Sequence, residues 1–414
     1  MLSVYFDPRG RRIRALRDGP AGVLLERFAQ SLFQSGYAAI TARKHLRAAE
    51  HFIHWSHRSG LGVAMLSEQV LVRFGRHLKR CRCEYRHADE LHVLHGARLF
   101  LRALRTAGII AAPAHPEAVQ DPVLLSAFGR WMREQRGTCE ATLSNYGRHI
   151  RELLKRLGEE PSRFEARSLR AFVLEQSHTS GWAAAKTCTT ALRAFVRFLI
   201  AGGHCTVGLD AAIPTLAHWR LAALPRYLPP DDVERVIASC DRASPVGRRN
   251  RAIVLLLARL GLRAGDIRQL HLSDIDWEGA WIHVSGKSRC ATRLPLTQEV
   301  GDAIVDYLQD GRPPAQTDAV FVGCRAPFRA FAPGVVPLIV GRALDRAGVT
   351  RPSRGAAHLL RHSVATSMLR QGASLQDIGA LLRHRSIETT QIYAKVDVLA
   401  LRQVAQPWPE VQSC

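Results

Sequence analysis

In residues 28 to 55, FAQSLFQSGYAAITARKHLRAAEHFIHW, apolar positions recur every three or four residues, stop at a short polar break, and resume. That spacing predicts two amphipathic helices joined by a turn. Residues 128 to 154, FGRWMREQRGTCEATLSNYGRHIRELL, repeat the arrangement, a weak internal repeat of about 100 residues. Each pair is followed by a further helix of similar pattern, HGARLFLRALRTAG at 95 to 108 and TTALRAFVRFLIAGG at 189 to 203. Two all-helical units in tandem are expected.

Two dividers interrupt this pattern. AAPAHPEAVQDP (111 to 122) is rich in Pro and Ala, and LDAAIPTLAHWRLAALPRYLPP (209 to 230) has four prolines and no clean period. After the second, PDDVERVIAS opens a helix with acidic residues in its first turn, where they meet the positive end of the helix dipole. RNRAIVLLLARLG (249 to 261) is apolar on most faces, so it reads as a buried helix stopping at Gly261. The period then changes. In WIHVSGKSRCATRLPL (281 to 296), Ile282 and Val284 alternate with Trp281, His283 and Ser285, and Gly286-Lys287 starts a turn. A hairpin or three-stranded sheet follows, with Lys287 at or near its turn. From 298 onward the chain returns to helical spacing. The expected domains are 1–112, 116–208 and 222–414.

Composition changes this picture mainly through charge. The chain has 414 residues, 47% hydrophobic and 23% charged, ordinary for a globular protein of two or three domains. No apolar run reaches the roughly 18 residues of a membrane span. MLSVYFDPRGRRIRALRDG lacks the apolar core of a signal peptide, so a cytoplasmic, nucleoid-associated protein is expected, with no membrane partner. The net charge is +22, from 58 Lys and Arg against 36 acidic residues. Such a surplus points to a polyanion: nucleic acid or an acidic membrane face. The nine cysteines are scattered, which disfavours a disulfide framework. Only Cys81 and Cys83 are closely spaced. A zinc site from Cys81, Cys83, His87 and His92 matches no common finger spacing, and a basic loop is the plainer reading.

The chemistry concentrates in three C-terminal stretches. HLLRH (358 to 362) carries two histidines four apart. A hydrolytic zinc site would need a glutamate beside the first, and Leu359 stands there instead. A core helix explains Leu359, Leu360, Val364 and Met368, but not His358 and Arg361 as neighbours at a helix start. ARLGLRAGDIRQLHLSDID (258 to 276) supplies Arg263 and Asp266. LLRHRSIETTQIYAKV (381 to 396) supplies Arg383, His384 and Tyr393. Ser374 with Asp377 forms a capping box, and Ser386 with Glu388 starts the short helix bearing Tyr393. Two arginines, a lysine, two histidines and a tyrosine suit one reaction, attack on a phosphodiester by a tyrosine hydroxyl.

These stretches resemble the three boxes of the tyrosine site-specific recombinases, the phage-integrase family. The likeness spans roughly 225 to 400 closely and 120 to 205 loosely. It implies a mainly α fold: tandem helical DNA-binding domains, then a mostly α catalytic domain with a small antiparallel sheet. It implies that Arg263 and Arg361 clamp the scissile phosphate and that Tyr393 attacks it, giving a covalent 3′-phosphotyrosine. Lys287 would protonate the leaving 5′ oxygen, His358 would assist at the tyrosine, and His384 would bond the phosphate. Asp266 would orient its neighbours. No metal and no cofactor are implied. Residues 116–208 are similar to the family's core-binding domain, with Lys186, Arg193 and Arg197 as candidate phosphate contacts. Residues 1–112 read as a core-binding-like duplicate. Two positions depart from the family pattern: Arg383 where many members have Gly, expected to add a DNA contact or alter the turn, and Asp266 where many have Glu. The implied partners are double-stranded DNA at specific sites, further copies in a synaptic multimer such as a tetramer, and companion recombinases. The alternatives are an idle DNA-binding accessory recombinase and a type IB topoisomerase-like enzyme.

Overall fold

The computed structural model describes residues 1–19, 21–85, 89–111, 121–216, 224–285, 291–352, 355–397 and 401–402. They fall into two compact units, Met1–Ala111 with Leu221–Cys414, and Ala112–Arg220. The fold is mostly helical with one small antiparallel sheet, as the apolar spacing predicts.

In the unit Ala112–Arg220, helices Val123–Arg136, Glu140–Leu157, Ala166–Thr179 and Trp182–Ala201 enclose a core that includes Phe128, Ile150, Phe172 and Phe195. The turn after Val123–Arg136 is Gly137, at a positive φ of 55°, where glycine carries no Cβ penalty.

The other unit contains two large apolar cores. The first gathers residues from Leu2 to Ile110, on helices that include Gly22–Gln34, Ala39–Arg58, Glu68–Leu78 and Glu90–Thr106. Side-chain caps fix two of these helix starts. Ser67 Oγ accepts from Val70 N, and an Asp89 carboxylate oxygen accepts from Leu91 N.

The second core, Leu228 to Leu360, surrounds the helix Pro245–Leu260. Residues 252 to 257 of that helix are fully buried, which is why this run is apolar on every face. It packs on the helices Gln298–Asp310 and Ala356–Arg370. Gly261 ends it at φ 57°, and a Cβ there would come within 2.7 Å of a Leu382 methyl, so two helix ends meet at this glycine. The sheet has order β1-β2-β3, with β1 Ile275–Asp276, β2 Trp281–Ser285 and β3 Ala291–Pro295. Ile282 lies opposite Leu294 and both are buried, as the period-two alternation requires. Residues 286–290, with Lys287, lie outside the described residues.

Candidate active site

Three helix ends build the site. Arg263 is the N-cap of the short helix Ala264–Arg268, directly after Gly261 and Leu262. Asp266 turns back to accept the Arg263 backbone N–H at 2.9 Å. Arg361 lies on the helix Ala356–Arg370 and is 5% exposed. Its guanidinium donates to two carbonyls, Gly261 and Leu382, each at the C-terminal end of a helix. The Arg263 guanidinium donates to the Arg383 carbonyl at 3.1 Å. The last carbonyls of a helix have no partner within it and sit at its negative dipole end. Both arginines therefore take their orientation from otherwise orphaned acceptors.

Two guanidiniums are thus held close together. Burial, then the neighbouring Arg263, holds Arg361 down to about 10. Arg263 is lowered by burial first, with Arg383 also disfavouring its charge and Asp266 favouring it. Cations brought together at a cost in desolvation and repulsion form a ready site for an anion.

The histidines line the same site. His384 is pushed down to about 4 by burial, then by Arg361 and Arg263, and its Nδ1 pairs with Thr390 Oγ1 at 2.8 Å. His358 keeps an exposed edge at the helix start, and partial burial followed by Arg361 and Arg263 lowers its pKa. Tyr393 is 1% exposed, packed with Ala365, Ile378 and Leu382. Burial raises its hydroxyl to about 12, with Arg361 pulling the other way. Its partner is His362 Nδ1, 2.8 Å away. His362 was not among the residues expected at the site. It is pushed down to about 4 by burial, then by His358 and Arg361, so it is neutral at pH 7.

The structure thus brings together Arg263, Asp266, His358, Arg361, His384 and Tyr393, adds His362, and leaves Lys287 undescribed. Tyr393 sits on the 3-10 turn Gln391–Val396, while Ser386 caps a separate turn, Ile387–Thr389. The expected single short helix is therefore two turns. They meet at Thr390, which is fully buried under the His384 ring.

Arg383 differs most from expectation. It is not displayed toward a ligand; its guanidinium pairs with the Asp266 carboxylate, and both side chains are almost fully buried. Its backbone is left-handed, φ 54° and ψ 50°, at the C-cap of Leu375–Leu382. That is the conformation glycine adopts freely and a side chain with a Cβ adopts at a cost. Here a strained non-glycine residue is retained by its buried ion pair. Arg383→Gly would relieve about 1 kcal/mol of strain but strand Asp266, a loss of about 3–5 kcal/mol. Urea denaturation should show net destabilisation of about 2 kcal/mol or more, and an unchanged or raised midpoint would refute the pairing.

The depressed histidines predict acid sensitivity. The unfolded chain takes up protons near 6.5, whereas His362 and His384 resist them until about 4. Their stabilising contribution is complete above about 6.5 and is lost as pH falls from there toward 4. His384→Asn should flatten the stability–pH curve in that window. An unaltered slope in chemical denaturation across this range would contradict it.

The other expected positions have partners of their own. On Trp182–Ala201, Arg193 donates to Ile213 O at 2.9 Å and Thr215 Oγ1 at 2.7 Å, and Arg197 pairs with Asp210 at 2.8 Å. Being four apart, they share a face that holds the 209–215 segment in place. Lys186 lies over the Trp182 ring at 5.1 Å. His87 lies outside the described residues. His92 stacks on His45 at 5.0 Å, and the histidines beside Cys81 and Cys83 are His51 and His77.

One buried and one half-buried guanidinium, three imidazoles and a tyrosine hydroxyl thus lie in one site. The sequence profile of the phage integrase family matches residues 226–399. A Sinorhizobium fredii protein described as an integrase/recombinase, y4rA, is 37% identical over 401 residues, 95% of each chain. Tyrosine recombinase XerD of Listeria monocytogenes is 28% identical over 293 residues, 68% of this chain and 96% of that protein. Among solved structures, XerH recombinase bound to its palindromic difH substrate aligns with TM-score 0.54 at 19% identity, covering 82% of this chain and 95% of XerH. A lambda integrase dimer bound to a core site aligns with TM-score 0.52 at 19% identity, covering 70% and 98%. The chain belongs to the phage integrase family of tyrosine recombinases, enzymes of site-specific DNA strand transfer. No helix among the described residues is long and apolar enough to cross a membrane.

Proposed function

We propose that this chain breaks and rejoins double-stranded DNA at specific sites through a covalent bond to Tyr393, in the service of integrating, excising or transposing a mobile element. The observation that carries this reading is the pinned arginine pair beside a tyrosine hydroxyl. A scissile phosphate between Arg263 and Arg361 would relieve their repulsion, and their N–H groups would neutralise charge building on the nonbridging oxygens. His384 and His358 border the same anion site. The phosphate's negative charge would also lift His362 toward its ordinary range, making it a better base.

In the cleavage step the Tyr393 oxygen bonds to phosphorus and the P–O5′ bond breaks. The phenolic proton passes to His362 Nδ1, and the leaving 5′ oxygen takes a proton from Lys287. Rejoining is the reverse, so the bond energy stays in the phosphotyrosine link. Because Tyr393 is buried, its turn must open when DNA binds. The remaining expectations fit this scheme. Residues 116–208 would clasp the duplex as a core-binding domain and residues 1–112 would act as its duplicate, with residues 222–414 catalytic. Copies of the chain, with or without companion recombinases, would assemble as a tetramer on paired sites, each cutting one strand.

The test is a suicide-substrate assay with nicked duplexes made from DNA flanking the coding sequence. A protein–DNA adduct on a denaturing gel, formed in the presence of chelator and leaving a free 5′-hydroxyl, is expected. Binding without any adduct on the whole set would favour an accessory protein.

A further inference from the structure

A second cluster lies in the N-terminal core, outside the catalytic chemistry. His51 is buried on the helix Ala39–Arg58, and His77 is in the last turn of Glu68–Leu78. Cys81 and Cys83 follow on the succeeding loop. Cys81 Sγ lies 3.5 Å from His51 Nε2, and Cys83 Sγ lies 3.5 Å from His77 Nε2. All four ligand atoms fall within 4.8 Å of one another.

These spacings have a specific meaning. Zinc takes sulfur at about 2.3 Å and imidazole nitrogen at about 2.0–2.1 Å in a tetrahedron. The sulfur-to-nitrogen edge of that tetrahedron is about 3.5 Å by simple trigonometry from those bond lengths. Two edges of the cluster already have this length. The ring planes are set by packing. His51 stacks on Tyr85 at 4.7 Å and meets Phe74 edge-on at 5.1 Å, while His77 stacks on Trp55 at 5.7 Å. The Cys83 backbone N–H points at Cys81 Sγ, 3.4 Å away, a donor placed to support a thiolate.

We propose that His51, His77, Cys81 and Cys83 form a structural zinc site that ties the helices Ala39–Arg58 and Glu68–Leu78 to the loop between Glu68–Leu78 and Glu90–Thr106. Four protein ligands complete the tetrahedron, leaving no position for water or substrate, so the site is structural. Two thiolates and two neutral imidazoles favour zinc over magnesium or calcium, which take oxygen. None of these four residues takes part in the strand-transfer step proposed above.

The experiment uses the full chain, purified without a polyhistidine tag, reduced, and dialysed against metal-free buffer. Elemental analysis should find one zinc per chain. Replacement with cobalt should give the visible bands of a tetrahedral site and a thiolate charge-transfer band. The Cys81→Ser/Cys83→Ser double variant should lose both, and the Cys139→Ser/Cys324→Ser control should keep both. His77→Gln guards against misfolding of the double variant: circular dichroism should stay native while the cobalt spectrum changes. Three results would each overturn the proposal: wild-type protein that binds no zinc after reduction and zinc loading, a double variant that retains the metal, or a Cys81–Cys83 disulfide formed in its place under reducing conditions.

Discussion

Tyr393→Phe should abolish covalent adduct formation, by at least about 10⁴-fold, while the protein still folds and binds DNA. The substitution removes one oxygen and keeps the ring. That ring is buried against Ala365, Ile378 and Leu382, so phenylalanine fills the same space. The lost hydrogen bond is the one to His362 Nδ1, a stability change of about 1 kcal/mol. Gel shift and denaturing gel, run on the same nicked duplexes, separate binding from chemistry. A variant that still forms the adduct would move the nucleophile elsewhere. Two other tyrosine hydroxyls are held by partners of their own. Tyr307 accepts from the Val322 backbone N–H inside the core, and Tyr227 accepts from Arg370.

Local patterning made much of this molecule legible. Helices came from three-to-four-residue spacing, the hairpin from the alternation around Ile282 and Val284, and the Ser374–Asp377 cap from its residue types. The candidate site residues other than Lys287 came from three stretches far apart in the chain, readable because their order resembles a known family. What escaped was set by tertiary contact. His362 shares a helix face with His358, four residues away, and the sequence alone does not say which ring meets the tyrosine. Arg383 read as a free cation because its partner, Asp266, is 117 positions earlier. For the cysteine pair, the sequence offers His87 and His92 downstream at a spacing that fits no common zinc finger. The histidines it meets, His51 and His77, come earlier in the chain and are delivered by helix packing.

The second large effect is expected at Arg361, where stability and chemistry share one side chain. Its two bonds reach the carbonyls of Gly261 and Leu382, so it joins the ends of the helices Pro245–Leu260 and Leu375–Leu382. Arg361→Ala removes both donors from a buried position, leaves two carbonyls unpaired and opens a void. A loss of about 3–5 kcal/mol is expected, enough to threaten folding in a protein of ordinary stability. Arg361→Lys is the informative variant. It retains the charge, but an ammonium cannot span both carbonyls and also face a phosphate with the planar fork of a guanidinium. Adduct formation should fall by about 10²–10³-fold while circular dichroism stays native and the denaturation midpoint drops modestly. If lysine restores full cleavage, Arg361 supplies only charge and packing. If it lowers stability as far as alanine does, the carbonyl bridge is the larger part of its role. A rate loss with the fold intact would mean that orientation by the two helix ends is what prepares Arg361 for the transition state.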